Sequence, residues 1–430
     1  MNKLIITRWN GRILTALFSE KEVLELGLEE TSSILGNIYI GKVNRIVKNL
    51  NSAFVEFGEG LTGYYSLDDN PMSLLAVSSW DSSPFAGCIS SQKLKGGDEI
   101  IVQVAKEAIK TKDPVLTSDL NFAGKYVVLT TGKKTISFSS KIHDRTWKEE
   151  IRPKLAAEIG QETGIIVRTN GYGMDEFLLA EIRRLLDIYR KILKSAAYRT
   201  CKSILYQAEP EYLKSLKGSQ GKILEEILTD QPDIYERIEN YLDQAQPEDK
   251  GKLRLYQDKL VSLIHLYSLK QALEQACQKR VWLKSGGYLV IEPTEAMVVI
   301  DVNTGKYSGQ KNQEDTIRMI NLEAAKEICR QLRLRNLSGI IMVDFIDMKK
   351  EQDKVLLMEQ LRMFAALDPI KITVVDMTQL NLVELTRKKG KKPLLEQLAG
   401  CRRSIAGQER GIGENSKNEE KAVDIQKAPC

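Results

Sequence analysis

Histidine is almost absent from this chain. Its 430 residues include two His, His143 and His265, and neither stands near a partner in a recognisable catalytic arrangement. Catalysis by a histidine pair or by a Ser-His-Asp triad therefore has little material to work with. Any chemistry that the protein performs falls to carboxylates and a metal ion.

Cysteine motifs and long apolar runs are also missing. The scattered cysteines form no CxxC motif, which favours a reducing compartment. They are Cys88, Cys201, Cys277, Cys329, Cys401 and Cys430. No apolar run approaches the ~20 residues of a membrane span. Residues 1–14 carry charges within their apolar stretch, unlike a signal peptide, so we expect a cytoplasmic protein.

The amino-acid composition is that of an ordinary multidomain protein. Hydrophobic residues make up 42% and charged residues 28%, and the net charge of +5 is a mild lean towards polyanionic partners. A chain of this length is expected to fold as about two to four domains.

Two short apolar runs end in carboxylates. The segment VWLKSGGYLVIEPTEAMVVIDVNTG (281–305) places Asp301 after MVVI, and GIIMVDFIDM (339–348) places Asp344 after IIMV. Such runs are typical of buried strands in an α/β sheet, and acids at their carboxyl ends face the ligand-binding crevice. Asn303 follows Asp301 by two residues, so both side chains leave the strand on one face.

These two carboxylates and the amide oxygen predict a magnesium site. An all-oxygen ligand set suits a Mg²⁺ ion that keeps several waters. The alternative is that both acids cap the helices that follow their strands. Spacing alone leaves the two interpretations about level.

The first part of the chain is predicted to be rich in strands. Residues 3–29 alternate around Asn10-Gly11, a hairpin signal, and form strands that a later segment must complete. Residues 34–118 contain strand-length runs with Gly-marked turns, typical of a small closed OB-type barrel with a surface loop at 68–91. Residues 216–278, which include KILEEILTD and a segment from about Leu253 to Lys279, are predicted to be helices that cover the N-terminal sheet.

Aromatic and basic residues are interleaved in the predicted barrel. Rings that stack on bases and cations that meet phosphates are what a single-strand binder needs. The residues concerned are Phe54, Tyr64, Lys42, Arg45, Lys106 and Lys112. Strand alternation in AFVEF separates Phe54 from Phe57, so we expect Phe54 to be exposed and Phe57 to be buried. The alternative is that one or two of the rings belong to the core.

Arg168 and Thr169 stand at the tip of another predicted strand, GIIVRTNG. A long amphipathic helix from Met174 to about Tyr198 follows it. A guanidinium beside a hydroxyl is suited to a terminal phosphate. The alternative, which the sequence alone favours, is that Arg168 pairs with a neighbouring carboxylate.

Residues 286–390 alternate strands and helices, which predicts an α/β layer with a mixed sheet. We expect LVELTRKK (382–389) to be a helix. The basic run RKKGKK (387–392), together with Arg333 and Arg335, would track a phosphate backbone, and a solvated charged face is the level alternative. Residues 401–430 lack apolar periodicity and are predicted to be a disordered tail.

These blocks resemble the bacterial ribonuclease E/G family of endoribonucleases, in its short ribonuclease G-like form. The resemblance rests on SGGYLVIEPTEAMVVIDVNTG, NLEAAKEICRQLRLRNLSGIIMVDFIDM and LVELTRKK, and GIIVRTNGYG, NIYIGKV and AFVEFG extend it upstream. Together these blocks cover residues 1–400.

The resemblance implies an α/β multidomain fold. Its pieces would be a ribonuclease-H-like subdomain split between 1–33 and 216–278, an OB-fold RNA-binding domain at 34–118, a 5′-sensor subdomain at 119–215, a deoxyribonuclease-I-like catalytic subdomain at 279–400, and a tail at 401–430. The ribonuclease-H-like piece lacks obvious catalytic acids and is expected to be structural.

The resemblance also implies roles for individual residues. Asp301 and Asp344 would bind magnesium, with Asn303 as the catalytic amide beside them. The implied 5′-phosphate sensor consists of Gly124, Val128, Arg168 and Thr169. The residues implied to hold single-stranded RNA are Phe54, Tyr64, Lys106 and Lys112.

The chain departs from the family at its zinc link. The family pattern is CPxCxG, and the matching place here has Cys401 but Ser404 in place of the second thiolate. We also expect the family's small domain beyond the link to be missing. We therefore expect no structural Zn²⁺ and an assembly no larger than a homodimer.

The expected function is magnesium-dependent cleavage within single-stranded RNA, in rRNA and tRNA processing and mRNA decay. The enzyme would prefer 5′-monophosphorylated ends and leave 5′-phosphate and 3′-hydroxyl products. One alternative is a non-catalytic RNA-binding protein, against which the intact DVN and DFIDM blocks argue. The other is a metal-dependent deoxyribonuclease, which has no use for a pocket tuned to the RNA 5′ end.

Overall fold

The computed structural model contains two compact units, each with its own hydrophobic cores. Unit 1 comprises Met1–Glu30, Leu224–Glu239 and the described residues from Gly251 onward. Unit 2 comprises the described residues of Thr31–Ile223 and of Asn240–Lys250. The structure describes residues 2–29, 33–76, 88–108, 112–132, 134–159, 163–217, 224–305 and 313–399.

Strands and helices occur in three blocks along the chain. The first block contains β1 (Asn2–Trp9), β2 (Arg12–Ser19), β3 (Glu22–Leu28), β4 (Ile38–Val47), β5 (Ser52–Gly58), β6 (Leu61–Ser66), β7 (Met72–Leu75), β8 (Cys88–Ser90), β9 (Glu99–Lys106) and β10 (Val115–Thr117). The second contains β11 (Asn121–Ala123), β12 (Val127–Thr130), β13 (Ile136–Phe138), α1 (Arg145–Ile159), β14 (Gly164–Val167), α2 (Asp175–Ala196), β15 (Ile204–Tyr206) and α3 (Glu211–Leu216). The third contains β16 (Glu226–Thr229), α4 (Pro232–Ala245), β17 (Leu253–Leu255), α5 (Leu263–Leu266), α6 (Leu269–Cys277), β18 (Arg280–Trp282), β19 (Tyr288–Pro293), β20 (Met297–Asn303), α7 (Gln313–Leu334), β21 (Gly339–Asp344), α8 (Glu351–Ala365), β22 (Ile372–Met377) and β23 (Leu382–Arg387).

The N-terminal sheet of unit 1 has the order β17-β16-β1-β2-β3. The predicted hairpin is confirmed, because β1 and β2 are antiparallel and Asn10 and Gly11 both have positive φ. β16 and β17 complete the sheet in parallel with β1. The prediction of helix for KILEEILTD and for the segment from Leu253 was wrong in part. Pairing beside β1 buries Ile227 and overrides the helix propensity of Glu and Leu.

A six-stranded mixed sheet, also in unit 1, has the order β18-β19-β20-β21-β23-β22. The predicted mixed α/β layer is therefore confirmed, and α7 and α8 contribute to its core. LVELTRKK was wrongly predicted as a helix, because it forms β23. Val383, Leu385 and Arg387 alternate as buried residues along that strand, which pairs antiparallel with β21.

A closed barrel in unit 2 confirms the predicted small β-barrel. Its five strands follow the order β4-β5-β6-β10-β9, and β9 pairs back onto β4, which is consistent with an OB-like fold. Phe57 and Tyr65 are fully buried inside. The predicted 68–91 loop contains the β7–β8 hairpin, and its residues 77–87 lie outside the described residues.

A second sheet of unit 2 has the order β11-β12-β14-β13. The predicted long helix is confirmed as α2, whose buried stripe includes Leu178, Ile182 and Leu185. This stripe packs in one core with Val127, Ile165 and neighbouring residues of the sheet. The carboxyl end of β14 leads directly into Arg168 and Thr169.

Candidate active site and nucleic-acid interface

The two strand-end carboxylates meet across a parallel strand pair. β20 and β21 are neighbours in register, so Asp301 lies directly opposite Asp344. Both side chains are exposed, whereas Ile300 and Val343, one residue earlier, are fully buried. Asn303 leaves β20 on the same face and donates from Nδ2 to Asp301 Oδ2 at 2.7 Å. The three predicted residues therefore lie together.

The capping alternative fails for both acids. The helix after β21 begins at Glu351 with Lys350 as its N-cap residue, so Asp344 is not its cap. Residues 304 and 305, which follow β20, are not helical, so Asp301 is not the N-cap residue of a helix. The carboxylates are left to other chemistry.

Mutual repulsion is visible in the electrostatics of the pair. The pKa of Asp344 is raised above its ordinary value, first by partial burial and then by the negative charges of Asp301 and Asp347. Asp347 is an acid that our sequence analysis did not single out. Its Oδ1 accepts a hydrogen bond from Asn381 Nδ2 at 3.2 Å. The sequence feature that could have revealed Asp347 is its place as the second acid of the DFIDM block.

A buried amide fixes the loop that follows Asp344. Asn321 of α7 is fully buried, donates from Nδ2 to the carbonyl of Ile346 at 2.8 Å, and accepts from the backbone N–H of Ile346 at 3.1 Å. Both hydrogen-bonding groups of one side chain thus hold one peptide position. This clamp sets the course of the chain just beyond the metal-site candidate.

The donor set fits a magnesium ion. Two exposed carboxylates and an amide offer only oxygen ligands, and a cation between them would relieve the repulsion at Asp344. Within the described ranges, no group of three or more His, Cys, Asp or Glu side chains is placed to hold a metal. Two protein carboxylates with water completing the shell is the arrangement that Mg²⁺ prefers.

The residues predicted to form a phosphate sensor lie around the end of β14 and the neighbouring strand β12. Arg168 Nη1 donates to the carbonyl of Gly124 at 2.5 Å, and the backbone N–H of Arg168 donates to the carbonyl of Tyr126 at 2.8 Å. Thr169 shares a hydroxyl–hydroxyl hydrogen bond of 3.0 Å with Ser139. Val128 lies on β12, which pairs with β14, and its side chain is half-buried.

Arg168 does not pair with a carboxylate. Burial lowers the pKa of its guanidinium, and the negative charge of Glu181 opposes that shift from a distance. Among the residues that the structure describes, no acid forms an ion pair with Arg168. The alternative that the sequence favoured is therefore wrong, because the guanidinium is held by a carbonyl and Glu181 acts on its charge without an ion pair.

Our sequence analysis missed Glu181. This carboxylate of α2 is buried at 5% exposure and accepts hydrogen bonds from three backbone N–H groups, of Lys125, Tyr126 and Val127. The sequence feature that could have revealed Glu181 is an acid on the apolar stripe of an amphipathic helix. An acid in that position must find donors, because an unpaired buried charge is costly.

The outer face of the barrel carries a continuous row of side chains. Arg45, Phe54, Tyr64, Val115 and Lys106 are successive register partners across β4, β5, β6, β10 and β9, and we call them the barrel strip. The Phe54 and Tyr64 rings pack edge to face at 6.3 Å, and the Arg45 guanidinium lies 5.1 Å from the Phe54 ring centre. Phe57 is fully buried, as predicted, whereas Phe54, which we expected to be exposed, is half-buried.

Lys42 and Lys112 are also exposed, but they stand apart from the barrel strip. Lys42 on β4 is the register partner of Glu56 on β5, and Lys112 precedes β10. Among the described residues, no contact joins Lys112 to Phe54 or Tyr64. The barrel strip, with two adjacent rings and a cation at each end, nevertheless has the composition of a single-strand binding surface.

Several of the arginines expected to meet phosphate are buried instead. Arg387 forms an ion pair with Asp368 at 2.9 Å, with both side chains 2% exposed. Arg333 pairs with Glu25 at 2.6 Å, and Arg335 donates to Gln331 and to the carbonyl of Gln278. Lys388 and Lys389 remain exposed. The prediction for these arginines was wrong, because each is itself buried and is bound to a polar group of the protein.

Cys401 and Ser404 of the predicted degenerate zinc link lie outside the described residues. Over the described ranges, no helix has both the length and the apolar character needed to cross a membrane.

The fold and the two sites define an α/β protein that combines an OB-like barrel with a strand-end carboxylate pair. The Ribonuclease E/G family model matches residues 121–390. Ribonuclease G of Haemophilus influenzae is 33% identical over 362 residues, which cover 84% of this chain and 74% of that protein. Ribonuclease G of Escherichia coli K12 is 30% identical over 90% of this chain and 77% of its own length. Ribonuclease E of Nostoc sp. is 30% identical over 87% of this chain and 54% of its own length. The chain belongs to the ribonuclease E/G family.

Proposed function

We propose that this protein is a magnesium-dependent endoribonuclease that cuts single-stranded RNA. The observation that carries the proposal is the register match of Asp301 and Asp344, with Asn303 hydrogen-bonded beside them. The relatives named Ribonuclease G and Ribonuclease E support the choice of RNA as substrate. Processing of rRNA and tRNA precursors and decay of mRNA are the roles that we propose for this cleavage.

The carboxylates of Asp301 and Asp344 would hold the ion, and the amide of Asn303 would orient the Asp301 carboxylate. A bound Mg²⁺ supplies Lewis-acid stabilisation of the charge that develops on the scissile phosphate. His265, one of the two histidines, lies in α5 with its ring nitrogen bonded to Ser262 at 2.8 Å. Without a base for the 2′-hydroxyl, water is the expected nucleophile, and the products would carry 5′-phosphate and 3′-hydroxyl ends.

Recognition of the substrate would fall to the residues of unit 2. Arg168 and Thr169, with the pocket walls at Gly124 and Val128, would bind a 5′-monophosphate through charge-assisted hydrogen bonds. The rings of the barrel strip would stack on bases while its cations meet the backbone. We propose the same division into ribonuclease-H-like, OB-fold, 5′-sensor and deoxyribonuclease-I-like pieces that the family resemblance implies.

We also propose that the assembly is no larger than a homodimer and contains no structural zinc. The proposal rests on the sequence, where Ser404 stands in place of a thiolate and its hydroxyl binds zinc poorly. Elemental analysis together with the mass of the assembly tests it. About half a zinc per chain, lost with a tetramer in Cys401→Ser, would contradict it.

A cleavage assay tests the main proposal. A 5′-monophosphorylated single-stranded RNA is incubated with the full chain, with and without Mg²⁺, and the product ends are identified. Cleavage that requires Mg²⁺ and leaves 5′-phosphate ends is expected. Binding without cleavage would favour the non-catalytic RNA-binding protein, and 2′,3′-cyclic phosphate ends would exclude the proposed attack by water.

A further inference from the structure

A buried carboxylate, Glu181, holds the turn whose carbonyl contacts Arg168. Glu181 Oε1 accepts from the backbone N–H of Lys125 at 2.8 Å, and Oε2 accepts from those of Tyr126 at 2.7 Å and Val127 at 3.0 Å. The first two N–H groups belong to the turn between β11 and β12, and the third belongs to Val127, the first residue of β12. A single side chain therefore fixes the whole turn.

The same turn begins at Gly124, one of the predicted sensor residues. A Cβ added there would lie 2.2 Å from Cδ of Glu181, so the carboxylate packs against the glycine backbone without room for a side chain. The carbonyl of Gly124 accepts the hydrogen bond from Arg168 Nη1. An unbroken series of contacts thus leads from the Glu181 carboxylate through the turn to the Arg168 guanidinium.

Glu181 is the one charged residue among the buried residues of α2. The neighbouring positions of the stripe are apolar, as at Leu178 and Ile182, and an apolar residue would fill the core without burying a charge. The ion pair with Arg184 is long, at 3.7 Å, compared with the three backbone hydrogen bonds. The charge of Glu181 also favours the charged form of Arg168, which burial disfavours.

We propose that Glu181 is a positioning residue for recognition of the RNA 5′ end. It holds the Lys125–Val127 turn so that the Gly124 carbonyl fixes the Arg168 guanidinium towards an incoming phosphate. Glu181 itself does not touch the RNA and acts through Arg168. This inference rests on the proposed function of Arg168, which is to bind the 5′-monophosphate of the RNA.

The test compares one RNA with a 5′-monophosphate and the same RNA with a 5′-hydroxyl. Glu181→Gln keeps the size of the side chain but places an amide donor against backbone donors. We expect the ratio of kcat/KM for the two RNAs to fall by about tenfold or more, because only the phosphorylated RNA uses the aligned guanidinium. Cleavage of the 5′-hydroxyl RNA should stay unchanged. Glu176→Gln, an exposed acid in the first turn of α2, is the matched control and should keep the wild-type ratio.

A double variant separates positioning from folding. If Glu181 acts through Arg168, Glu181→Gln with Arg168→Ala should have the same ratio as Arg168→Ala alone. Should Glu181→Gln unfold, Glu181→Asp retains the charge with a shorter reach and should show the same selective loss. Equal slowing of both RNAs, an unchanged ratio in a folded variant, or additive losses in the double variant would each overturn the proposal. A wild-type enzyme that does not distinguish the two RNAs would refute the function proposed for Arg168 itself, and this inference with it.

Discussion

Asp301 and Asp344 are register partners on two neighbouring parallel strands. The backbones of such strands lie about 4.8 Å apart, so two carboxylates leave the sheet side by side. The raised pKa of Asp344 records the cost of this placement, to which partial burial contributes most and Asp301 next. A cation bound between the two carboxylates, as we propose, would offset this cost.

The first prediction concerns this pair. Asp301→Asn or Asp344→Asn should reduce the rate of RNA cleavage by about three orders of magnitude. Loss of the bound metal ion removes several kcal/mol of transition-state stabilisation. RNA binding should persist. Because Asp344→Asn also removes repulsion, it should not lower the thermal midpoint measured without Mg²⁺.

Asp376→Asn is the matched control, because Asp376 is an exposed acid on β22 of the same sheet. It should cleave RNA at the wild-type rate. Full activity of Asp301→Asn or Asp344→Asn at millimolar Mg²⁺ would contradict the assignment of these two residues as metal ligands.

The second prediction concerns Arg168. Arg168→Ala should slow cleavage of 5′-monophosphorylated RNA by about tenfold or more, because a hydrogen bond to a charged group contributes about 1.5–3 kcal/mol. Cleavage of 5′-hydroxyl RNA should barely change. Kinetic assays of both substrates decide the point, and an equal decrease in both would make Arg168 a structural residue.

The third prediction separates two neighbours of the basic run. Arg387 is bound to Asp368, to Asn336 Oδ1 and to the carbonyl of Leu337, all in the interior. Arg387→Ala should lower the free energy of unfolding by about 3–5 kcal/mol, because Asp368 is left buried and unpaired.

The adjacent Lys388 is exposed and serves as the control for Arg387. Lys388→Ala should change stability by less than about 0.5 kcal/mol. If Lys388 contacts a phosphate, this variant should reduce the salt dependence of RNA binding by ~0.7 in the log–log slope. Denaturation and binding titrations distinguish these outcomes. A mildly destabilised Arg387→Ala would mean that Asp368 finds another partner.

How far the sequence could predict this structure depended on whether the relevant partners are local. The strand-end acids were predictable because each apolar run and its acid are adjacent in the chain. Their direct opposition depends on the register of β20 with β21, which no local pattern encodes. Spacing therefore left the metal site and the capping alternative level.

The errors have the same physical origin. Residues 226–229 and 382–387 carry Leu and Glu, which favour helices in isolation, but strand partners far along the chain decided their state. Arg387 appeared to belong to an exposed basic run because its partner, Asp368, lies on a different element. Glu181 was missed because its three partners are backbone N–H groups, which a side-chain pattern does not display.

The fourth prediction is a pH dependence. Cys329 of α7 is buried, and burial, with a smaller contribution from Asp368, raises the pKa of its thiol to about 12. An unfolded thiol ionises near pH ~8.5, so above that pH the unfolded state gains stability that the folded state does not. The thiol therefore lowers the stability of the folded protein progressively from pH ~8.5 to about 12, by at most about 1.4 kcal/mol per pH unit. Cys329→Ala should lose less thermal stability than the wild type between pH 8 and 10, and parallel curves for the two proteins would contradict the shift.

The fifth prediction concerns the barrel strip. Phe54 and Tyr64 are adjacent on neighbouring strands, and Arg45 lies over the Phe54 ring. Phe54→Ala and Tyr64→Ala should each weaken binding of single-stranded RNA by about 1–3 kcal/mol, the value of one base stacked on an aromatic ring. Because stacking is nearly independent of base identity, the loss should be similar for different sequences. Equilibrium titration with Mg²⁺ omitted measures binding without cleavage.

Leu61 provides the matched control for the barrel strip. It is an exposed apolar residue on β6 of the same barrel, outside the strip. Leu61→Ala removes comparable apolar surface but no ring, so RNA binding should remain at the wild-type level. Lys106→Ala should weaken binding in a different way, mainly at low salt, because it removes a phosphate contact instead of a stacking surface. If Leu61→Ala and Phe54→Ala weaken binding equally, or if Phe54→Ala is harmless while the barrel stays folded, the RNA passes elsewhere on the protein.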